Sequence, residues 1–150
     1  MTLTVTHSAF SESDPDEVWA VLINHADWPK WDKRLESVRA SSTAKSGTSY
    51  SLKPVDGHEV TIQVTKAKDG VFTDVAKLEF GTIETERTVS PTKGGSIVTQ
   101  TMRANINPEA VKTFHKVFWP EWAQGIIDST KALAEAPTNQ EFVSRHRNIA

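Results

Sequence analysis

Apolar and polar residues alternate from Thr2 to Phe10, with Leu3, Val5 and His7 set against Thr2, Thr4 and Thr6. An alternation of this kind, rich in Thr and Val, predicts a β-strand. The spacing then changes. Val18, Val21 and Leu22 fall three to four apart or side by side on one helical face, the stripe of a short amphipathic helix. Asp14 stands where an N-cap is needed, Pro15 takes the first helical position, and Glu17 lies three residues after Asp14 in a capping-box arrangement. This helix is expected to fade at Asn24–His25. Ala26 to Lys33 reads as a second short helix or turn, with Asp27 as its cap and Pro29 forbidding a continuous helix.

From Leu35 to Gln100 the pattern is strand-like and punctuated by turn dipeptides at Ser46–Gly47, Asp56–Gly57, Asp69–Gly70 and Gly94–Gly95. The segments between them are Ser49–Lys53, His58–Ala67, Val71–Phe80, Ile83–Ser90 and Ser96–Ile106. They predict successive antiparallel strands rather than alternating strands and helices. Asn107–Pro108 is expected to open the last large element, Asn107 as N-cap and Pro108 as first residue. Val111, Phe114, Phe118, Trp122, Ile126 and Leu133 keep helical spacing, and Pro120 inside that run is expected to kink or divide the helix. The helix should end near Ala136–Pro137, leaving residues 137–150 as a polar tail or short helix that carries Phe142–Val143. The sum is an α+β domain: one strand, two short helices, about six strands and a long helix. A long antiparallel sheet curls, and the helix would lie in the curl over its apolar face.

Composition narrows the functional classes. A chain of 150 residues with 37% hydrophobic and 24% charged residues is sized for one domain with a real core. A net charge of −2 gives no basic field for a nucleic-acid partner. The absence of cysteine removes disulfides, thiolate metal sites and a Cys nucleophile. No run approaches the roughly 20 apolar residues of a membrane span, and MTLTVTHSAF lacks the marks of a signal peptide, so a cytoplasmic location is expected. The five histidines, His7, His25, His58, His115 and His146, form no local ligand pair, so neither a metal nor a cofactor is expected.

Candidate chemistry concentrates in three places. Three of the five tryptophans, Trp19, Trp28 and Trp31, follow the first strand. Trp28 and Trp31 either gate a cavity mouth or cap one end of the core. The late helix carries Phe114, Phe118, Trp122 and Ile126, which serve as core or line a pocket, and Gly125 beside them would leave room. In TIETERTV, Arg87 shares strand parity with Ile83, Thr85 and Val89, and Asp74 shares parity with Phe72, Ala76 and Leu78. Both then point inward, where a buried guanidinium needs a carboxylate from protein or ligand. The alternative is a pair of exposed strand charges. Arg103 has the same ambiguity, and His115, beside Phe114, sits at the rim or reaches the pocket as an acid/base. Candidate catalytic groups are therefore Asp74, Arg87 and His115. Candidate ligand contacts are Trp28, Trp31, Phe72, Phe80, Arg87, Met102, Phe114, Phe118, Trp122, Gly125 and Ile126.

The words DPDEVWAVLINHADWPKWDKRLESV at Asp14 to Val38 and GGSIVTQTM at Gly94 to Met102, followed by the closing helix, resemble the START-like superfamily (SRPBCC). This superfamily includes the Bet v 1 allergens and the polyketide cyclase/dehydrase proteins. VFTD at Val71 to Asp74 resembles a strand of the cyclase-like branch. That branch often carries a His in the next strand, where this chain has Arg87. The resemblance covers residues 1–136. It implies a helix-grip fold, a curled sheet of about seven strands around the long C-terminal helix. It also implies a cavity for a lipid, isoprenoid or polyketide-type molecule. Three functions remain open: a binding protein for such a ligand, a cyclase- or dehydratase-like enzyme, and a protein-interaction module. The oligomeric expectation is a monomer or homodimer.

Overall fold

The computed structural model describes residues 1–138; the expected tail at residues 137–150 lies almost wholly outside the described residues. Strand β1 (Thr2–Ser11) leads into helix α1 (Pro15–Ile23) and a 3₁₀ turn (His25–Lys30). Six strands follow: β2 (Leu35–Arg39), β3 (Ser49–Pro54), β4 (Val60–Lys68), β5 (Val71–Leu78), β6 (Gly81–Thr92) and β7 (Gly95–Ile106). They form one sheet in the order β1-β7-β6-β5-β4-β3-β2, antiparallel throughout.

The local signals mostly act as expected. Asp14 is extended at φ −64° and ψ 153°, and its carbonyl accepts the first helical bonds from Glu17 and Val18 at 3.0 and 3.1 Å. The capping box fails in one respect: no side-chain bond closes it. In the 3₁₀ turn the cap is Asn24, whose Nδ2 donates to Asp27 Oδ2 at 2.9 Å, so Asp27 lies inside the turn rather than at its start. Asp69 and Gly70 take positive φ values of 54° and 74°, the conformation that a tight β4–β5 hairpin needs. A Cβ at Gly70 would also sit 2.6 Å from the Val89 carbonyl oxygen. Strand β5 stops at Leu78, which leaves Phe80 in the β5–β6 turn.

The start of the last helix differs from expectation. Asn107 does not cap it. Its Nδ2 donates to the Glu79 carbonyl at 3.2 Å and its backbone N–H to the Phe80 carbonyl at 2.8 Å, tying β7 to the β5–β6 turn. The helix opens later, as α2 (Val111–Thr113), continues as a π turn (Phe114–Phe118) and runs on as α3 (Trp119–Glu135). Pro120 accounts for the division. It cannot donate to the preceding turn, and the register slips by one residue just before it, with Trp119 N–H bonding to the Phe114 carbonyl. A final 3₁₀ turn spans Ala136–Thr138.

Helix α3 packs along β1 and β7, so side chains rather than helix backbone cover the inner faces of the strands beyond. Two apolar clusters result. One lies under α1 and the 3₁₀ turn and contains Val18, Leu22, Trp28, Tyr50, Val64, Phe72, Val98 and Leu133. The other lies under the start of the long helix and contains Ala76, Ile83, Met102, Ala104, Ile106 and Phe114.

Candidate ligand-binding site

A belt of polar side chains crosses the sheet interior between the two apolar clusters. Pairing register builds it. Phe72 lies opposite Arg87, Arg87 opposite Gln100, and Asp74 opposite Thr85. Asp74 and Arg87 both point inward, as strand parity predicts. The Arg87 Nη1 donates to Asp74 Oδ2 at 2.8 Å, and the side chains are 11% and 4% exposed. Tyr50 on β3 donates its hydroxyl to the same carboxylate oxygen at 2.5 Å. Arg87 Nε donates to Gln100 Oε1 at 3.2 Å, and Gln100 Nε2 reaches Ser129 and Thr130 on α3 at 2.8 and 2.9 Å. A continuous chain of hydrogen bonds thus runs from β3 across the sheet to the helix.

Aromatic rings wall this belt. The Arg87 guanidinium carbon lies 4.8 Å from the Trp28 ring centroid and 5.0 Å from that of Phe72, within the range of a cation–π contact. His25 packs its ring 4.7 Å from Tyr50, 6.0 Å from Trp28 and 6.3 Å from Phe72. His25 is 2% exposed, and its Nδ1 has no hydrogen-bond partner.

Electrostatics follow from burial and pairing. Burial works against the Arg87 charge, but Asp74 and Tyr50 outweigh it and raise its pKa above the ordinary value. Burial first, and then the Asp74 charge, push the Tyr50 hydroxyl well above its usual range, so it stays protonated. Burial lowers His25, against an opposing pull from Asp74 and with help from Arg87. The belt therefore pairs the Arg87 guanidinium with the Asp74 side chain and keeps the Tyr50 phenol protonated, while burial disfavours the charged form of His25.

The remaining sequence candidates fall elsewhere. Trp28 is only 3% exposed, and its Nε1 donates to the Leu22 carbonyl at 2.9 Å, so it belongs to the core rather than to a rim. Trp31 is half-buried against Trp28 at 6.2 Å, and its Nε1 is buried without a partner. Phe80, Phe114, Phe118 and Trp122 form a second aromatic group at the far end, with Met102 and Ile126 in the same apolar cluster. Within that group Phe114 is 2% exposed and Phe118 is 44% exposed. Gly125 opens no room for a ligand, because Arg34 stands over it: a Cβ there would lie 3.3 Å from Arg34 Nη1. Arg34 donates from Nη1 to the Glu121 carbonyl at 3.3 Å and from Nη2 to Asp128 at 2.8 Å. His115 is exposed on the π turn, and no hydrogen bond joins it to Asp74 or Arg87. Arg103 is exposed on the outer face, opposite Glu84.

Two surface hollows, of about 400 and 270 Å³, lie around Arg39–Ser41 with Ser49–Ser51, and around Thr65, Thr73, Glu84, Glu86 and Arg103. Neither hollow is lined by α3. Among the described residues, no group of three potential metal ligands is assembled, and no helix is long and apolar enough to cross a membrane.

Residues 2–136 match the family model described as polyketide cyclase/dehydrase and lipid transport. The chain belongs to that family. The domain has the fold of solved structures at low sequence identity. The TTHA0849 protein of Thermus thermophilus superposes with a TM-score of 0.75 at 15% identity, covering 91% of this chain and 97% of that one. Norcoclaurine synthase from Thalictrum flavum, in complex with dopamine and hydroxybenzaldehyde, gives 0.69 at 17% identity, with 93% and 88% covered. Ara h 8.0201 gives 0.65 at 16% identity, with 93% and 100% covered. No curated protein matches the chain in sequence.

Three residues of the belt, His25, Tyr50 and Gln100, were not among the candidates read from sequence. Two had a usable signal. Gln100 breaks the inward apolar row of Val98, Met102, Ala104 and Ile106 on β7, and Tyr50 shares a face with Leu52 on β3. His25 sits in a turn after α1, where neither a strand nor a helix period applies.

Proposed function

We propose that this domain binds a hydrophobic or amphipathic small molecule between the sheet and α3, with the Tyr50–Asp74–Arg87–Gln100 belt at the ligand's polar end. The observation that carries this reading is a hydrogen-bonded ion pair, mostly buried, set between two apolar clusters inside a family whose description includes lipid transport. A buried ion pair is weak evidence for stability, since apolar residues of similar volume often do as well. Its presence among aromatic walls fits a function in orienting a guest, as a few placed polar groups do in apolar sites.

The test is native mass spectrometry of freshly purified protein, together with titration of the neutral apolar dye Nile red. The expected result is a co-purified apolar mass or saturable dye binding at one site per chain. A clean protein mass with no saturable dye response would refute the proposal.

A second reading, acid/base chemistry of the cyclase or dehydratase kind, is favoured by one observation: Asp74, Arg87 and Tyr50 are already within hydrogen-bond distance of one another. In it the Asp74 carboxylate takes the α-proton, Arg87 stabilises the enolate oxygen so formed, and the Tyr50 hydroxyl returns a proton to carbon and is re-protonated by Asp74. Its test is solvent-deuterium exchange at the α-carbon of a 1,3-diketone. Exchange above the buffer rate that disappears in Tyr50→Phe supports the reading, and no enhancement counts against it.

A further inference from the structure

The belt is electrically closed. The protein supplies the carboxylate that a buried guanidinium requires, because Asp74 lies 2.8 Å from Arg87 and also accepts the Tyr50 hydroxyl. A ligand carboxylate entering here would place a second anion beside Asp74, which is 4% exposed. A ligand ammonium would meet Arg87. Either ion would be desolvated with no unpaired opposite charge to receive it.

What the site leaves open is neutral hydrogen bonding. His25 Nδ1 is buried with no partner in a residue that is 2% exposed, and its ring touches Tyr50, Trp28 and Phe72. Trp31 Nε1 and Ser13 Oγ are also buried without a partner, and an indole N–H can only donate. Buried polar atoms are normally satisfied, and exceptions call for a specific explanation. A hydroxyl both donates and accepts, so it satisfies His25 in either neutral tautomer. A carboxylate only accepts, and an aliphatic chain does neither.

We infer that His25 is the specificity-determining residue of the site, and that its Nδ1 bonds to a neutral hydroxyl, of the phenol or alcohol class, on an otherwise apolar ligand. This rests on the ligand-binding reading and narrows it: ionised acids are excluded, and aromatic alcohols suit the ring-lined wall.

The test uses three probes of one shape, naphthalene, 2-naphthol and 2-naphthoate, titrated calorimetrically into the intact chain near neutral pH. One net hydrogen bond corresponds to about a tenfold gain in affinity. The expected order is 2-naphthol about tenfold tighter than naphthalene, with 2-naphthoate weakest. His25→Phe, which keeps a ring in place, is expected to reduce the 2-naphthol advantage to near unity while changing naphthalene affinity by no more than about threefold. Equal affinities for the three probes, tightest binding of 2-naphthoate, or a naphthol advantage untouched by His25→Phe would each overturn the inference. The probe order in the unaltered protein decides the matter even if that variant does not fold. Nile red binding with no response to any naphthalene overturns this inference alone. Silence of both the dye and the naphthalenes, with a clean native mass, overturns the ligand-binding reading as well.

Discussion

Arg87 and Asp74, thirteen residues apart on adjacent strands, meet through a 2.8 Å contact in the interior of the sheet, and Asp74 Oδ2 also accepts the Tyr50 hydroxyl. Register explains the meeting. Arg87 lies opposite Phe72, so Asp74, two residues further along β5, is its diagonal neighbour on the same face.

Removing one member of that pair leaves the other buried and uncompensated. Asp74→Ala is expected to lower stability by about 3–5 kcal/mol, and Arg87→Ala by a similar amount. The joint replacement Asp74→Leu with Arg87→Met should lose much less than the sum, because no charge is left inside. Urea denaturation of the two single variants and the double variant checks this. Additive losses would show that the two side chains are not energetically coupled.

Acidification should destabilise the domain through His25. Burial lowers its folded pKa, while Asp74 raises it and Arg87 lowers it. In the unfolded chain the imidazole titrates near 6.5. Between the lowered folded value and about 6.5, the unfolded chain binds more protons, so stability rises with pH across that window and is lost as pH falls through it. Below the folded value this group contributes no further change. Urea midpoints measured from about pH 7.5 downward should fall in the native sequence and fall less steeply in His25→Gln. Identical slopes would remove His25 as the source.

The order of elements was legible because each rests on local chemistry: the alternation of β1, the turn pairs at Asp69–Gly70 and Gly94–Gly95, and the stripe of the last helix. Parity also offered an inward Asp74 and Arg87, with exposed strand charges as the alternative, and the 2.8 Å pair inside the sheet decides between them. What stayed hidden depends on partners distant in sequence. Asn107 has the chemistry of a helix cap, yet its amide goes to Glu79, which only the β7–β6 register brings near. Trp28 and Trp31 read equally as a cavity mouth or as a cap on one end of the core, and the fold decides for Trp28 by burying it against Arg87. Gly125 suggests ligand space because nothing local to α3 announces the crossing of Arg34.

The aromatic stripe of the last helix should divide energetically at its π turn. Phe114 is 2% exposed and packs on Phe80 and Trp122, so Phe114→Ala should lose about 3–5 kcal/mol. Phe118 is 44% exposed and stacks on Phe80 at 6.5 Å with nearly parallel planes. Phe118→Ala should lose less than about 1.5 kcal/mol, the upper range for an aromatic pair. The two unfolding midpoints decide the point, and comparable losses would place Phe118 in the core.

Arg34 and Gly125 should form a coupled pair. A glycine inside a helix lowers stability by about 0.5–1 kcal/mol relative to Ala, so Gly125→Ala alone would ordinarily stabilise α3. Here the new Cβ comes within 3.3 Å of Arg34 Nη1, the mobile end of a side chain that can move aside at the expense of its Glu121 and Asp128 contacts. Those contacts are solvent-exposed, at 42% for Arg34 and 47% for Asp128, and such pairs are worth at most about 1 kcal/mol. The two effects nearly cancel, so Gly125→Ala in the native background should change stability by less than about 0.5 kcal/mol. In an Arg34→Ala background the opposing contact is gone, and the same substitution should gain about 0.5–1 kcal/mol. A double-mutant cycle by urea denaturation measures the difference. Equal effects of Gly125→Ala in both backgrounds would mean that Arg34 does not depend on the missing side chain, and that the glycine serves something other than this crossing.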